Sequence, residues 1–445
     1  MTIRLPLLLL LFLIANTATA QQCDSVFLGT KTLYTQPKNT TVKIPDGYKA
    51  VFVNYVGRHG ARHLTKAPSS AYVYQLIAKA DSAKALTVLG QQLKKMVLAL
   101  DKVEKGNTKN ISTEGVTELM GIASRLYQNN SAVFADRPRV TVTVTKEIRT
   151  RQSADAFLKG LQPLLRNQTI IEKGINDTTL RFYDLSPGYL DFEKNGSWIK
   201  IVDDLKNYLS IAELNTRVTA RFFTADFTKT ISAANQSQFV NDFFGFATIV
   251  YSLNQEVKQA GFSNHDLSFQ SFFTCDELAT LSRIDVAEDF FTKGPGADIN
   301  GIQVKIAAPL LADFLKTTDS FVAGKKIVAN LRFSHAETIS PFAALLGLNR
   351  SDKVGTYIQL INKNWESAKV IPLSANVQWI LYKNNTGGYL LRCLLNEKDA
   401  AIAGLKPVYP NFYAWPEVKK YYLNKLKSIG APLSGNMLSY LKTLK

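Results

Sequence analysis

Along the chain, Lys49 to Val56 (KAVFVNYV) is an apolar run rich in β-branched and aromatic residues, and it stops at the Gly57 to Gly60 segment. The pattern predicts a strand that delivers a loop. Val140 to Val144 alternates Val with Thr, and Ser153 to Leu165 (SADAFLKGLQPLL) then carries apolar residues at helical spacing. Strand followed by helix predicts an α/β layer. From about Asn167 to Lys316 the strand signals weaken, and aromatic-rich helical stretches such as Phe239 to Val257 follow one another. The β pattern returns at Lys326 to Phe333 (KIVANLRF), followed by a helix rich in Ala and Leu that Gly347 ends. Gln378 to Lys383 and Gly388 to Leu395, joined by Asn384 to Gly387, predict a hairpin. The expected organisation is an α/β core in two parts, residues 21–166 and 317–445, with a mostly helical cap, residues 167–316, inserted between them.

Residues 1–20 read as an address and not as part of the fold. Arg4 supplies the positive start, Leu5 to Ala15 the apolar run and Ala18-Thr19-Ala20 the small-residue cleavage site. That run falls short of the roughly 20 apolar residues a membrane span needs. The expected product is exported, periplasmic or secreted, with no stable membrane insertion, and begins near Gln21. Cys23 invites a lipoprotein reading, but Gln21 and Gln22 stand where small residues normally precede a lipidated cysteine. With Cys275 and Cys393 it makes three cysteines, enough for at most one internal disulfide, so the fold must rest on its core. No close Cys/His cluster of the structural-zinc kind occurs, and neither a metal nor a cofactor is expected.

The formal net charge of +17 is high for a chain of this size, and loss of Arg4 with the leader lowers it by only one. A basic surface of this kind either aids solubility or attracts an anion. The basic residues are scattered, without long runs and without a nucleic-acid motif, so the anion expected is a small molecule and not a nucleic acid.

Arg58-His59-Gly60-Ala61-Arg62-His63, at the end of the first strong strand, narrows the chemistry. Phosphoryl transfer to an imidazole needs an unprotonated ring nitrogen, cations to hold the phosphate oxygens and a backbone that can come close. Arginine offers a planar fork of donors matched to phosphate, and nearby positive charge keeps His59 neutral. Gly60 removes a side chain that would crowd the transferred group. His59 is therefore the expected nucleophile. Ser334-His335-Ala336-Glu337-Thr338 follows a second strand. There His335 can donate to a phosphate oxygen, and the Glu337 carboxyl can protonate the leaving oxygen. The bland alternative, a Glu that serves only as a helix-dipole partner, applies to the second motif more than to the first.

Together these segments resemble the histidine acid phosphatases, and within that superfamily the multiple inositol polyphosphate phosphatases. Glu147 to Leu161 (EIRTRQSADAFLKGL), Cys275 to Ala279 (CDELA), Asp289 to Gly296 (DFFTKGPG) and Leu394 to Lys398 (LLNEK) extend the likeness over almost the whole chain. Use of H-A-E in place of the commoner H-D points to the inositol polyphosphate branch. The resemblance implies a histidine-phosphatase-like α/β core and a phosphohistidine at His59. It further implies a phosphate held by Arg58, Arg62, Arg149 and His335, with Glu337 as proton donor. Arg149 is preferred over Arg151 because it lies eight residues before Phe157. Lys66, just past the signature, matches a position that often binds substrate, and Arg221 and Lys293 in the cap are possible partners for the phosphates not being transferred. His63 is expected in the pocket wall and His265 in a structural role. The implied substrate is inositol hexakisphosphate or a related polyphosphate. The rivals are a histidine phosphatase for sugar phosphates, a mutase-like relative, and a basic polyanion-binding protein without catalysis.

Overall fold

The computed structural model describes Cys23 and residues 25–38, 42–135, 138–165, 169–349, 351–355, 365–433 and 435–445. The leader expected at residues 1–20 lies outside these. Among the described residues, no helix is long and apolar enough to cross a membrane.

Eight strands form one sheet: β1 (Tyr48–Arg58), β2 (Arg139–Val144), β3 (Ile170–Ile175), β4 (Ile327–Ser334), β5 (Asn376–Asn384), β6 (Tyr389–Leu395), β7 (Lys398–Asp399) and β8 (Phe412–Ala414). Their order is β3-β2-β4-β1-β5-β6-β7, with β8 beside β6. The first four are mutually parallel, and β5 onwards run antiparallel, beginning with the predicted hairpin. From Phe52 onward strand β1 is buried on both faces, which explains a run that is apolar but for the hydrogen-bonded Asn54. Phe52 and Val56 face a core with helices α8 (Ala308–Val322), α9 (Ala336–Leu346) and α10 (Trp415–Ser428). Val53 and Tyr55 face α3 (Thr113–Asn129) and α4 (Ile148–Leu161). A bulge between Ala50 and Phe52 shifts the register by one residue and turns Ala50 to the Val53 side.

A third apolar cluster lies among helices. It draws on Phe27 and Leu28, on α1 (Tyr72–Ser82) and α2 (Val88–Glu104), and on α5 (Ile211–Ala220), α6 (Ala233–Ile249) and α7 (Cys275–Thr292). Its residues therefore come from both sides of the boundary expected at 166/167. The same boundary misses β3, all six residues of which pair with β2. Because β3 is a solvent-exposed edge with the sequence IIEKGI, it lacks the apolar run that reveals a central strand. At the other end, position 316 falls inside α8, whose Phe314 carbonyl accepts from Asn54 on β1.

Cys23 and Cys275 form a disulfide, which leaves no Cys23 thiol for a lipid, and Cys393 is free and buried. The bridge ties the segment Ser25–Lys31 to the start of α7.

Candidate active site

In the parallel pair β1 and β4, Arg58 stands opposite Ser334, and the His59 N–H donates to the Ser334 carbonyl at 2.9 Å. The residues that follow each strand, His59 and His335, are thereby set side by side with ring centroids 5.6 Å apart. Strand β2 ends beside β4, Val144 opposite Phe333, and delivers Thr145 and the first turn of α4 to the same place. The site thus lies at the carboxyl ends of three adjacent parallel strands, where α/β sheets characteristically bind ligands.

His59 is buried, and its Nδ1 is 3.0 Å from the Gly60 carbonyl oxygen. A carbonyl can only accept, so Nδ1 carries the proton and the neutral ring presents Nε2 as a free lone pair. Burial, and then the charges of Arg58 and Arg62, hold the ring's pKa well below the ordinary value of 6.5.

Three arginines surround this histidine. Arg58 donates through Nη1 to the carbonyls of Thr30 and Ile371, both at 2.6 Å. Arg62 donates to the His63 carbonyl at 2.8 Å, and Arg149 to Glu147 Oε2 at 3.0 Å. Each of the three also keeps a buried Nε donor without a partner among the described residues. Burial, followed by repulsion from Arg58 and Arg149, lowers the Arg62 pKa to about 10. Like charges gathered in a buried place, with donors to spare, make a site suited to an anion.

His335 is differently engaged. Arg149 Nη2 lies 3.2 Å from its Nδ1, and its Nε2 lies 3.0 Å from Thr145 Oγ1. Since the guanidinium can only donate, Nδ1 accepts and the Nε2 proton goes to Thr145. Burial and then Arg149 lower the ring's pKa to about 3. In this state His335 has no ring N–H left for a phosphate, which differs from the simple donor read from the sequence.

Glu337 sits in the first turn of α9, and its Oε1 is 3.2 Å from Lys293 Nζ, which also reaches Asp289 Oδ1 at 2.9 Å. Burial is the largest single influence and works against the Glu337 charge, but Lys293, His335, a backbone hydrogen bond and Arg58 together hold the carboxyl far below the usual carboxylate range.

Of the residues read from the sequence, Arg58, His59, Arg62, Arg149, His335, Glu337 and Lys293 are therefore electrostatically coupled neighbours. Lys66, on the following loop, is exposed and makes no hydrogen bond or ion pair among the described residues. Arg221 is already spent on a carboxylate of its own chain: both its terminal nitrogens bond Glu277, at 2.8 and 2.5 Å. His63 is buried, with Nδ1 3.2 Å from Glu104 Oε2, and His265 is exposed.

Sequence reasoning missed the braces. Glu118 of α3 accepts from Tyr34 N at 2.7 Å, Ala61 N at 3.1 Å and Ser374 Oγ at 2.7 Å, joining the N-terminal segment, the signature loop and the turn before β5. Ser374 holds a left-handed backbone (φ 57°) while its N–H caps the His59 carbonyl, local strain of the kind active sites retain. Glu147 clamps Arg149 and also pairs with Arg181. A lone acid on a helix gives no local sign of such a task. Gly60 has a further, structural role. A Cβ there would meet the Gly115 backbone at 2.8 Å, so the glycine permits contact between the loop and α3.

A family model described as the histidine phosphatase superfamily (branch 2) matches residues 51–396. Multiple inositol polyphosphate phosphatase 1 of Gallus gallus is 24% identical over 335 residues, covering 72% of this chain and 70% of its own length. The Homo sapiens protein of that name is 23% identical over 350 residues, covering 71% and 66%. Among solved structures, the Bifidobacterium longum multiple inositol polyphosphate phosphatase in complex with inositol hexasulfate aligns with a TM-score of 0.78 at 22% identity. It covers 88% of this chain and 96% of that one. The phytase from D. castellii aligns with a TM-score of 0.67 at 16% identity, covering 94% and 90%. These structural likenesses speak for a shared fold.

Proposed function

The chain belongs to branch 2 of the histidine phosphatase superfamily, and we propose that it is an exported phosphatase that removes phosphates from inositol hexakisphosphate and related inositol polyphosphates. One observation carries the catalytic reading: a histidine whose Nδ1 proton is fixed on a carbonyl, leaving Nε2 free, in the midst of three arginines with unspent donors. Binding alone requires cations but no such nucleophile, which favours an enzyme over a polyanion-binding protein.

In this mechanism the phosphate occupies the space that Arg58, Arg62 and Arg149 share, and their donors neutralise its oxygens. His59 Nε2 attacks phosphorus in line as the bond to the ester oxygen breaks, and Glu337 gives that oxygen its proton. Water then attacks the phosphohistidine, returns a proton to Glu337 and frees His59. Two in-line displacements give net retention at phosphorus. His335 joins late: an arriving phosphate that draws the Arg149 donor away leaves Nδ1 open to protonation, and the ring can then donate to the anion. The choice of inositol polyphosphates over other esters rests on the relatives' names, the H-A-E motif and the basic charge. Lys66 is the proposed contact for a phosphate not being transferred. Export rests on the leader pattern of residues 1–20.

The test is phosphate release from inositol hexakisphosphate beside a simple aryl phosphate, with and without chelator, for the wild type and His59→Ala. The wild type is expected to turn over both substrates with chelator present, and the variant neither. An active His59→Ala, or a chelator-sensitive wild type, sinks the scheme.

A further inference from the structure

The candidate acid carries a difficulty. To give a proton to a leaving alkoxide Glu337 must hold one, yet it is in contact with an ammonium that favours its ionised form. Lys293 is well placed to impose this. It ends α7, where a cation meets the negative end of the helix dipole, and its side chain is 17% exposed against 33% for Glu337. Asp289, one turn earlier on the same helix, fixes the ammonium from the other side at 2.9 Å. The other charged and titratable groups coupled to Glu337 come from four directions: Arg58 at the end of β1, Arg62 in the signature loop, His335 just before it, and Tyr183, Tyr189 and Glu193 from the segment after β3. The arginines and Lys293 favour the carboxylate, and Glu193 opposes it.

Resting on the reading of Glu337 as the proton donor, we propose that Lys293 is a partner-switching residue, released from Glu337 by an incoming phosphate of the substrate, so that the acid takes up its proton only as substrate binds. A phosphate oxygen competes for the ammonium, and the carboxylate then loses its cation while gaining a polyanion as neighbour. Both changes raise its proton affinity, and one proton passes from solvent to the carboxylate. On scission that proton moves to the ester oxygen as the P–O bond breaks and the N–P bond to His59 Nε2 forms. The attacking water later gives a proton to Glu337, and as products leave, that proton returns to solvent and the carboxylate pairs with Lys293 again. The arrangement keeps the acid unloaded, and the site cationic, until a polyanion is present. Lys293 thus acts through Glu337 as a positioning residue and gives the proton donor a dependence on substrate charge.

Proton uptake on binding reads this directly, with inositol hexasulfate as probe because its sulfates stay ionised and cannot take up protons themselves. Calorimetry at pH 4, in two buffers of different ionisation enthalpy, counts the protons. The wild type is expected to take up about one more proton per ligand than Glu337→Gln, which isolates this carboxyl from His59 and His335. Lys293→Met is expected to lose that extra proton, since its Glu337 is already protonated before binding, and to bind the probe about 10-fold more weakly. Lys293→Arg restores the uptake. In turnover, the alkaline limb of kcat/KM for inositol hexakisphosphate should move up by about one to three units in Lys293→Met, the shift an adjacent opposite charge typically imposes. Equal uptake in the wild type and Lys293→Met overturns the proposal, because a merely structural lysine would alter stability without altering proton count. Wild-type turnover of inositol hexakisphosphate by Glu337→Gln is a different failure: it removes the acid assignment itself, whatever the calorimetry gives.

Discussion

Nδ1 of His59 donates to the carbonyl oxygen of Gly60 across 3.0 Å, a bond made inside one turn of the signature loop. It decides which nitrogen is free to attack, and it depends on no substrate. The loop that carries it is in turn held by Glu118, Ser374 and Ser153, the last accepting from Gly60 N at 3.1 Å. The nucleophile is therefore organised by backbone before any phosphate arrives.

The first prediction concerns acid. Because burial and the neighbouring arginines depress the His59 pKa, the acid limb of kcat/KM should lie well below 6.5. Arg62→Gln removes one of the depressing charges and should move the limb upward by about one unit, besides raising KM. An aryl phosphate is the substrate of choice, since its departure leans little on Glu337. A limb that stays in place in Arg62→Gln would show that the guanidinium does not govern the ring.

Glu337→Gln keeps size and hydrogen bonding but removes the transferable proton. The expected loss in kcat is about 10²–10⁴-fold for inositol hexakisphosphate and clearly smaller for an aryl phosphate, whose phenolate leaves with less help. Equal losses on both substrates would assign Glu337 to binding or structure.

His335 makes a stability prediction whose sign can be worked out. Its folded pKa is about 3, against an ordinary 6.5 in the unfolded chain, so between those values the unfolded state binds more protons. The stability contributed by the neutral ring is full above pH 6.5 and is lost as pH falls towards 3, by at most about 1.4 kcal/mol per unit. Denaturant unfolding at pH 7 and pH 4.5 should show this fall, and His335→Asn should flatten it. Identical slopes in the two proteins would refute the assignment.

How far the sequence reveals such a site depends on how local its causes are. The largely apolar, β-rich runs of β1 and β4 and the motifs at their ends can be read directly, because a strand buried on both faces is mostly apolar and the catalytic groups follow at once. The turn of Asn and Gly between β5 and β6 is equally local. Edge strand β3 is hidden by its exposure. The braces are hidden by distance: Glu118 meets partners 57 to 256 residues away, and nothing in VTELM distinguishes it from a solvated helix acid. Arg221 shows the opposite error, since a basic residue in an aromatic helical region reads as a free cation until Glu277 is seen beside it.

Lys66 is exposed and unpaired among the described residues, as a contact for a mobile, highly charged ligand would be. If it meets a phosphate that is not being transferred, Lys66→Ala should raise KM for inositol hexakisphosphate about three-fold to ten-fold and leave a monophosphate nearly unaffected. The difference should shrink as salt rises, with a Debye length of about 8 Å at physiological ionic strength. Proportional losses on both substrates, or none on either, would remove Lys66 from the specificity site.

The last prediction separates two glycines of one helix. Gly115 opens α3, and a Cβ on it would lie 2.2 Å from the Ala61 carbonyl oxygen and 2.7 Å from the Ala61 nitrogen. These are backbone atoms of the signature loop, and the oxygen already accepts from Ser112 N at 2.8 Å, so neither can swing aside. Gly115→Ala must therefore push loop and helix apart and lengthen the bond from Ala61 N to Glu118, which lies one turn further along α3. Overpacking of this kind costs about 1–3 kcal/mol. Because the displaced loop carries His59 between Arg58 and Arg62, a shift of about 1 Å should also lower kcat/KM by about 10²-fold. Gly121 of the same helix is the control. Its Cβ would meet the Arg125 guanidinium at 3.0 Å, through Nη1, which takes no part in the two bonds to Glu397 and has to give by only a few tenths of an ångström. There alanine should be neutral or stabilising by up to about 1 kcal/mol, the ordinary gain in helix propensity. Thermal unfolding and aryl phosphate kinetics on both variants decide the matter. If Gly115→Ala behaved like Gly121→Ala in both measurements, the close approach of α3 to the loop would have no part in holding the nucleophile.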